Sequence, residues 1–294
     1  MPGPHCLRFD FQFSARNIQM KTRLLHAMPV VLLIASICVR AQYDNPVLTG
    51  MNPDPSILRV GHDYYLATSS FEYFPSCPIY HRLDLVHWQR VGYALSTPRQ
   101  FAQLSGHPST YATTLRYRDA TFYLITTDVR GGGNFYVTAR NPGAPWSDPI
   151  KVDQGKFDPS LFFDDNGKVY YTRRGPIDHE NIVQATISIR TGKLTSPLRT
   201  ISRGMATDDA EGPHLYKIDG WYYLIEAEGG ARFLHMETVG RSKSPWGPFT
   251  PDPANPFVSQ HTSWDYPVKS VGHCDWTDTP EGKMVDRLPW HTAP

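Results

Sequence analysis

The chain repeats one pattern five times, and this repetition limits its possible folds more than any other feature. Each copy begins with a small, acidic or proline-containing cluster, continues with an apolar pair and a polar turn, and leads into an aromatic-rich segment. The copies begin at Asp54, Ala112, Asp158, Glu211 and His273. Two apolar segments around a turn predict a β-hairpin, and each interval between starts has room for about four short strands.

This repeat predicts an all-β fold, a five-bladed β-propeller. Strand-rich repeats without helical periodicity favour propeller blades over a helical solenoid, and a β-sandwich with strands of similar composition is the alternative. Pro145-Trp146 in the second copy and Pro245-Trp246 in the fourth recur at matching positions and favour the propeller. The fifth copy turns at Glu281-Gly282 and stops after the short segment Lys283-Met284-Val285, so the fifth blade is predicted to be incomplete.

The first 41 residues differ from the rest of the chain. Lys21 and Arg23 precede an apolar run from Met28 to Val39, and Val39-Arg40-Ala41 resembles a cleavage site. This layout is typical of a secretory signal peptide, and the run is shorter than the roughly 20 residues that span a bilayer. A buried core helix is the alternative. The pattern predicts an upstream extension and signal peptide over 1–41, a propeller domain over 42–294, and an extracellular protein.

Charge excludes one class of partner. The 29 Lys and Arg residues balance 28 Asp and Glu residues, which leaves a formal charge of +1. A nucleic-acid-binding protein needs a basic excess to neutralise phosphates. The sequence therefore predicts no nucleic-acid partner. No membrane partner is predicted either, because the apolar run is too short to span a bilayer, and the oligomeric state is left open.

Three carboxylates occupy corresponding positions of the repeat. The first strand of each propeller blade lines the central channel, so Asp54, Asp158 and Glu211 are predicted to converge there. Hydrolysis of a glycosidic bond needs one protonated and one ionised carboxyl group, and a third carboxylate can raise the pKa of the acid. Each Asp could instead cap a turn. Recurrence of the acidic position in three copies favours a functional site.

Several motifs resemble glycoside hydrolase family 43, within it the β-xylosidase and α-L-arabinofuranosidase branch. They are Asn52-Pro53-Asp54-Pro55-Ser56, Phe157-Asp158-Pro159-Ser160-Leu161, Glu211-Gly212-Pro213-His214-Leu215-Tyr216 and Glu228-Gly229-Gly230. The similarity extends from about Asn45 to about Met284. It implies a five-bladed propeller that hydrolyses xylo- or arabino-oligosaccharides with inversion of configuration.

The resemblance also implies roles for individual residues. Asp54 would be the general base that activates water, and Glu211 the general acid that protonates the glycosidic oxygen. Asp158 would modulate the pKa of the acid and orient the substrate. In inverting enzymes the base and the acid stand about 6.5–9.5 Å apart, which leaves room for the water.

Three further residues would contact the sugar. Phe71 matches an aromatic residue that packs on the sugar, Tyr111 stands where the family usually has a pocket tryptophan, and His273 matches the histidine at the bottom of the channel. Strand packing is the alternative for both aromatic residues. No metal or other cofactor is predicted, although some relatives use the histidine on a calcium ion, and a calcium ion near His273 is left open.

The chain also departs from the family pattern. Ala112-Thr113-Thr114 replaces Ala-Pro-Thr, Ala231 replaces a threonine, and a substrate-contacting arginine of the family has no counterpart. The β-sandwich that usually follows the propeller is missing, which predicts a truncated product. The leading prediction is a secreted exo-acting glycosidase that releases terminal xylose or arabinofuranose. A non-catalytic sugar-binding propeller and an endo-arabinanase are the alternatives, and a protein-interaction propeller is disfavoured.

Overall fold

The computed structural model describes residues 46–176, 181–207, 209–260, 265 and 268–282. The described residues belong to one compact unit. The predicted signal peptide over 1–41 and the predicted strand Lys283-Met284-Val285 lie outside them.

Four antiparallel sheets follow one another along the described part of the chain, and in each of them the strands pair in sequence order. The first contains β1 (Ser56–Val60), β2 (Asp63–Ala67), β3 (Ser76–Arg82) and β4 (Gln89–Leu95); the second contains β5 (Thr114–Arg118), β6 (Thr121–Asp128), β7 (Gly133–Ala139) and β8 (Ile150–Asp153). The third contains β9 (Ser160–Phe163), β10 (Val169–Arg174), β11 (Ile182–Thr186) and β12 (Arg199–Ser202). The fourth contains β13 (Glu211–Ile218), β14 (Trp221–Glu228), β15 (Met236–Ser242) and β16 (Thr250–Pro251), with β17 (Val258–Ser259) also paired to β15.

The hairpins lie where the repeat predicts them. Strands β1 and β2 are joined at Gly61, and β13 and β14 are joined at Asp219-Gly220, where both residues have positive φ. Glycine and aspartate favour such turns because they tolerate a left-handed backbone.

The short helix α1 (Pro98–Ala102) connects the first sheet to the second. No helix in the described ranges has the length and apolar character needed to cross a membrane.

The hydrophobic cores lie between neighbouring sheets. Leu58 of the first sheet shares a core with Leu115 of the second, and Tyr136 of the second shares another with Tyr171 of the third. A sheet covered on both faces needs apolar residues on both, which explains the abundance of tyrosine and phenylalanine. The two recurring tryptophans lie in different cores. Trp146 belongs to the core between the first and second sheets, and Trp246 packs against the core between the third and fourth sheets.

The first strands of the four sheets are neighbours in the order β1, β5, β9 and β13. The segment 273–278 fills the place between β13 and β1: Asp278 pairs with Arg59 of β1, and Asp275 contacts Tyr216 of β13. Within 268–282 the chain forms no strand. The predicted all-β propeller is therefore confirmed, with four blades among the described residues, and the described start of the fifth repeat occupies the gap without forming a sheet.

Candidate active site

The acidic positions of three repeats and the histidine of the fifth lie together. Asp158, Glu211 and His273 each place a carboxylate oxygen or ring nitrogen within 4.8 Å of the others. Asp54 lies beside this group, with its Oδ1 3.6 Å from Nδ1 of His273. The structure thus brings together all four residues that the sequence placed at the channel, while their individual roles stay predictions.

The backbone around these residues is unusual. Asp54, Asp158 and His273 have φ values of 52°, 58° and 54°. Positive φ is uncommon for residues other than glycine, and such strain of about 1–3 kcal/mol concentrates at functional sites. Next to Glu211 the corresponding position is Gly212, where an added Cβ would lie 2.9 Å from the His273 ring. Glycine is therefore required there for the histidine to approach.

Asp158 has the most perturbed carboxyl group of the cluster. Its pKa is raised to about 7: burial is the largest cause, the nearby charges of Glu211 and Asp54 add to the rise, and His273 opposes it. The backbone N–H of Gly212 donates a hydrogen bond to its Oδ2 at 3.2 Å. Burial lowers the pKa of His273, but Asp158 and Asp54 outweigh it and the net shift is upward. The site can therefore hold protons near neutral pH.

Asp54 is the more accessible carboxylate. Its side chain is 25% exposed, whereas Asp158 is 6% exposed. The Ser69 hydroxyl donates a hydrogen bond to Oδ2 of Asp54 at 2.9 Å. A carboxylate that must take a proton from water needs to be reachable by solvent and fixed in orientation, and Asp54 meets both conditions.

Phe71 and Tyr111 come from different blades but are in contact. Their ring centroids are 5.5 Å apart in an edge-to-face arrangement, and Tyr111 lies 5.6 Å from the ring of Phe157. Backbone hydrogen bonds between Phe71 and Thr110 join the two segments in both directions. The three rings form an aromatic wall, and one of them, Phe157, directly precedes Asp158 in the chain. The predicted contact with sugar is not tested by this arrangement.

Sequence reasoning missed Arg174, the last residue of β10. Its Nη1 lies 2.7 Å from Oε2 of Glu211, and its Nη2 lies 2.7 Å from Oδ1 of Asp209. The guanidinium carbon lies 5.3 Å from the centroid of Phe157. Arg174 has no counterpart in the repeated motifs, so no signal in the sequence indicates it.

Sequence reasoning also missed a cluster of charged and polar side chains that links the first strands of three blades to Asp275. Asp275 is buried and accepts hydrogen bonds from the Ser56 and Tyr216 hydroxyls, and Arg116 pairs with it at 2.9 Å. Burial alone would raise the pKa of Asp275, but Arg116 and the hydrogen bonds bring it down to about 2. This Asp275 cluster ties the first, second and fourth blades to the fifth repeat.

Asp158, Glu211 and His273 form the group among the described residues that could hold a metal ion. Calcium takes six to eight oxygen ligands, whereas this group offers two carboxylates and one imidazole nitrogen. Asp158 already accepts the Gly212 N–H, and Glu211 is paired with Arg174. The donor set does not fit a calcium ion held by these residues.

The fold and the cluster together define a β-propeller with a carboxylate site where its first strands begin. The profile of Glycosyl hydrolases family 43 matches residues 43–288. The chain belongs to this family, as the sequence motifs predicted.

The similarity to individual proteins supports this family assignment. A non-reducing end α-L-arabinofuranosidase of Bacteroides ovatus is 46% identical over 82% of this chain and 46% of its own length. A xylosidase/arabinosidase of Humicola insolens is 42% identical over 82% of this chain and 48% of its own. The crystal structure of a xylan β-1,4-xylosidase from Bacillus halodurans superposes with a TM-score of 0.76 at 39% identity, covering 83% of this chain and 49% of that one. The chain spans about half the length of the curated relatives that it matches.

Proposed function

We propose that this protein is a glycoside hydrolase that releases terminal xylose or arabinofuranose from xylan-derived oligosaccharides with inversion of configuration. The observation that carries the proposal is the gathering of Asp54, Asp158 and Glu211 around His273. Family membership and the printed activities of the relatives, a xylosidase/arabinosidase and an α-L-arabinofuranosidase among them, support the substrate class.

The mechanism needs two proton transfers. Asp54, which is solvent-accessible, acts as a carboxylate and takes a proton from a water molecule as the water oxygen bonds to the anomeric carbon. Glu211, in its protonated form, gives a proton to the glycosidic oxygen as the bond from that oxygen to the anomeric carbon breaks. The sugar leaves as a hemiacetal of opposite configuration and the remainder as an alcohol, which balances protons and electrons. Asp158 orients the substrate between the two groups.

The aromatic wall supports exo action. Phe71 and Tyr111 are the residues predicted to enclose a terminal sugar, and their edge-to-face contact holds both rings in place. Aromatic rings provide large, rigid apolar faces of the kind that pack on sugars. We further propose that the complete ring has five blades, with 273–278 at the position of the fifth blade's first strand, and that the protein is secreted.

The test is hydrolysis of nitrophenyl β-D-xyloside and nitrophenyl α-L-arabinofuranoside by the full chain, beside its Glu211→Ala variant. We expect turnover of at least one glycoside by the wild type and a loss of at least about a hundredfold in the variant. Proton NMR of the first product formed should show the anomer opposite to that of the substrate. Sugar binding without turnover would contradict the proposal and favour a non-catalytic sugar-binding propeller.

Secretion has a separate test. If the segment 1–41 is a signal peptide, protein recovered from the medium of a secreting host should begin at Gln42. N-terminal sequencing of that protein decides the matter. Retention of the intact N-terminus inside the cells would contradict it.

A further inference from the structure

Arg174 lies against the residue that the proposed mechanism uses as its acid. It ends the second strand of the third blade, whereas Glu211 begins the first strand of the fourth. The Arg174 side chain is 9% exposed and that of Glu211 13% exposed, and the two are separated by 2.7 Å. A hydrogen bond from a charged guanidinium that is largely removed from water is both strong and directional. The pair therefore fixes the orientation of the Glu211 carboxylate.

The guanidinium is itself held from three sides. Nη2 binds Asp209 at 2.7 Å, the ring of Phe157 lies beneath it, and Glu211 binds Nη1. Asp209 lies between β12 and β13, and in the same connection Glu228 accepts the backbone N–H groups of Met205 and Ala206. Planar guanidinium groups suit such two-carboxylate contacts, which a lysine cannot reproduce. Arg174 thus holds a defined position rather than sampling many.

The contact also distinguishes the two oxygens of Glu211. Arg174 binds Oε2, and no described residue donates a hydrogen bond to Oε1. Oε1 is therefore the oxygen available to carry the proton toward a substrate. When that proton leaves, negative charge appears on the carboxylate directly beside the guanidinium. Charge that develops next to a preorganised positive group is stabilised most in a site with little water.

We infer that Arg174 is a positioning residue for proton donation, which directs Oε1 of Glu211 at the glycosidic oxygen and offsets the charge left on Glu211. The inference rests on the proposed hydrolase function. It assigns a role to a residue outside the repeated motifs, on a strand that does not line the channel.

The experiment compares two leaving groups. Xylobiose has a poor leaving group that needs a proton, whereas dinitrophenyl β-D-xyloside has a good one that needs little help. In the Arg174→Gln variant we expect kcat for xylobiose to fall on the order of a hundredfold, the scale on which general acid catalysis contributes. We expect kcat for the dinitrophenyl xyloside to fall only severalfold and KM to change little for both. Arg174→Lys, which keeps the charge, should recover part of the xylobiose rate.

Arg173 supplies the matched control. It is the neighbouring residue on β10, is equally buried, and pairs with Asp153 at 2.9 Å without contacting the acidic cluster. Arg173→Gln tests the loss of a buried arginine from the same strand, and it should leave the ratio of the two rates unchanged. Circular dichroism of all variants establishes that they are folded.

The outcomes separate the two claims. An equal fall of both rates in Arg174→Gln, or the same change of ratio in Arg173→Gln, would overturn the role of Arg174 while leaving the hydrolase function intact. If Arg174→Gln does not fold, Arg174→Lys decides by the same ratio. A folded wild type that cleaves neither these xylosides nor nitrophenyl α-L-arabinofuranoside would overturn the proposed function and this inference together.

Discussion

The imidazole Nδ1 of His273 lies 3.6 Å from Oδ1 of Asp54. The contact joins the start of the fifth repeat to the start of the first. His273 is held in turn by Glu237 of β15, whose buried carboxylate accepts the backbone N–H of Cys274 at 2.9 Å. The position of the proposed base therefore depends on a segment that forms no strand of its own.

Replacing His273 should impair catalysis more than folding. In His273→Gln the imidazole contact to Asp54 is lost, and we expect kcat/KM to fall about tenfold to a hundredfold because small displacements of reacting groups are costly. Steady-state kinetics on the nitrophenyl substrates measures this change. His62→Gln, in the exposed turn after β1, is the control and should behave as the wild type. Unchanged kinetics in His273→Gln would show that Asp54 does not need the histidine.

The Asp275 cluster should contribute strongly to stability. Asp275→Asn leaves the charge of Arg116 buried without its partner, and we expect a loss of about 3–5 kcal/mol in the free energy of unfolding. Asp278→Asn breaks the more exposed pair with Arg59 and should cost less than about 1 kcal/mol. Urea denaturation of both variants measures the difference, and equal losses would contradict the assignment.

The same cluster predicts an acid dependence of stability. The pKa of Asp275 is about 2 in the folded protein and near 3.9 in an unfolded chain. A depressed pKa stabilises the fold above the unfolded value, and this contribution is lost as the pH falls from about 4 to about 2. Denaturation curves across this range should show a smaller decline in Asp275→Asn than in the wild type. Parallel declines would mean that other carboxylates dominate.

Two glutamates on β14 should respond in opposite ways to neutralisation. Burial raises the pKa of Glu226 to about 8, so its contribution to stability is complete below about pH 4.5 and is lost as the pH rises through 8. Glu226→Gln should therefore raise the free energy of unfolding at pH 8–9 relative to the wild type. Glu228 instead accepts backbone N–H groups of the 205–207 loop, and Glu228→Gln should destabilise the fold at every pH. Thermal melts at pH 5 and pH 9 compare the two.

Phe71 should bind substrate, whereas the nearby Phe74 should not. Phe71→Ala removes the ring that packs on Tyr111, and we expect KM to rise at least about tenfold, since burial of an aromatic side chain contributes about 1.5–3 kcal/mol. Phe74→Ala alters a ring that is 53% exposed and packs on Phe101, and it should leave KM unchanged. A rise of KM in Phe74→Ala alone would reverse the assignment.

Much of the fold could be predicted from local pattern. The hairpins, their turns and the convergence of Asp54, Asp158 and Glu211 follow from the period of the repeat, because residues at one phase of a propeller meet at one axis. The fifth repeat illustrates the limit of this reasoning. Its first residues share the motif, but within 268–282 they form no strand, and they are held instead by side chains of other repeats.

Arg174 and Arg116 could not be predicted, for a physical reason. Each acts through a partner far away in sequence, Glu211 for Arg174 and Asp275 for Arg116. Such pairings depend on how neighbouring blades are rotated against one another, and no periodic signal encodes that rotation. The replacement of the family's Ala-Pro-Thr by Ala112-Thr113-Thr114 is a separate matter: strand β5 still forms and begins at Thr114.

The Asp275 cluster also has a consequence for biosynthesis. The hydrogen bond between Asp275 and Ser56 spans 219 positions of the chain, and loop closure over such a distance makes contacts of this kind slow to form. Ribosomes extend chains by about 5–20 residues each second, so β1 waits many seconds for its partner. A nascent chain can stack its blades one by one during this time. It cannot position the proposed base against His273 until the fifth repeat has left the ribosome.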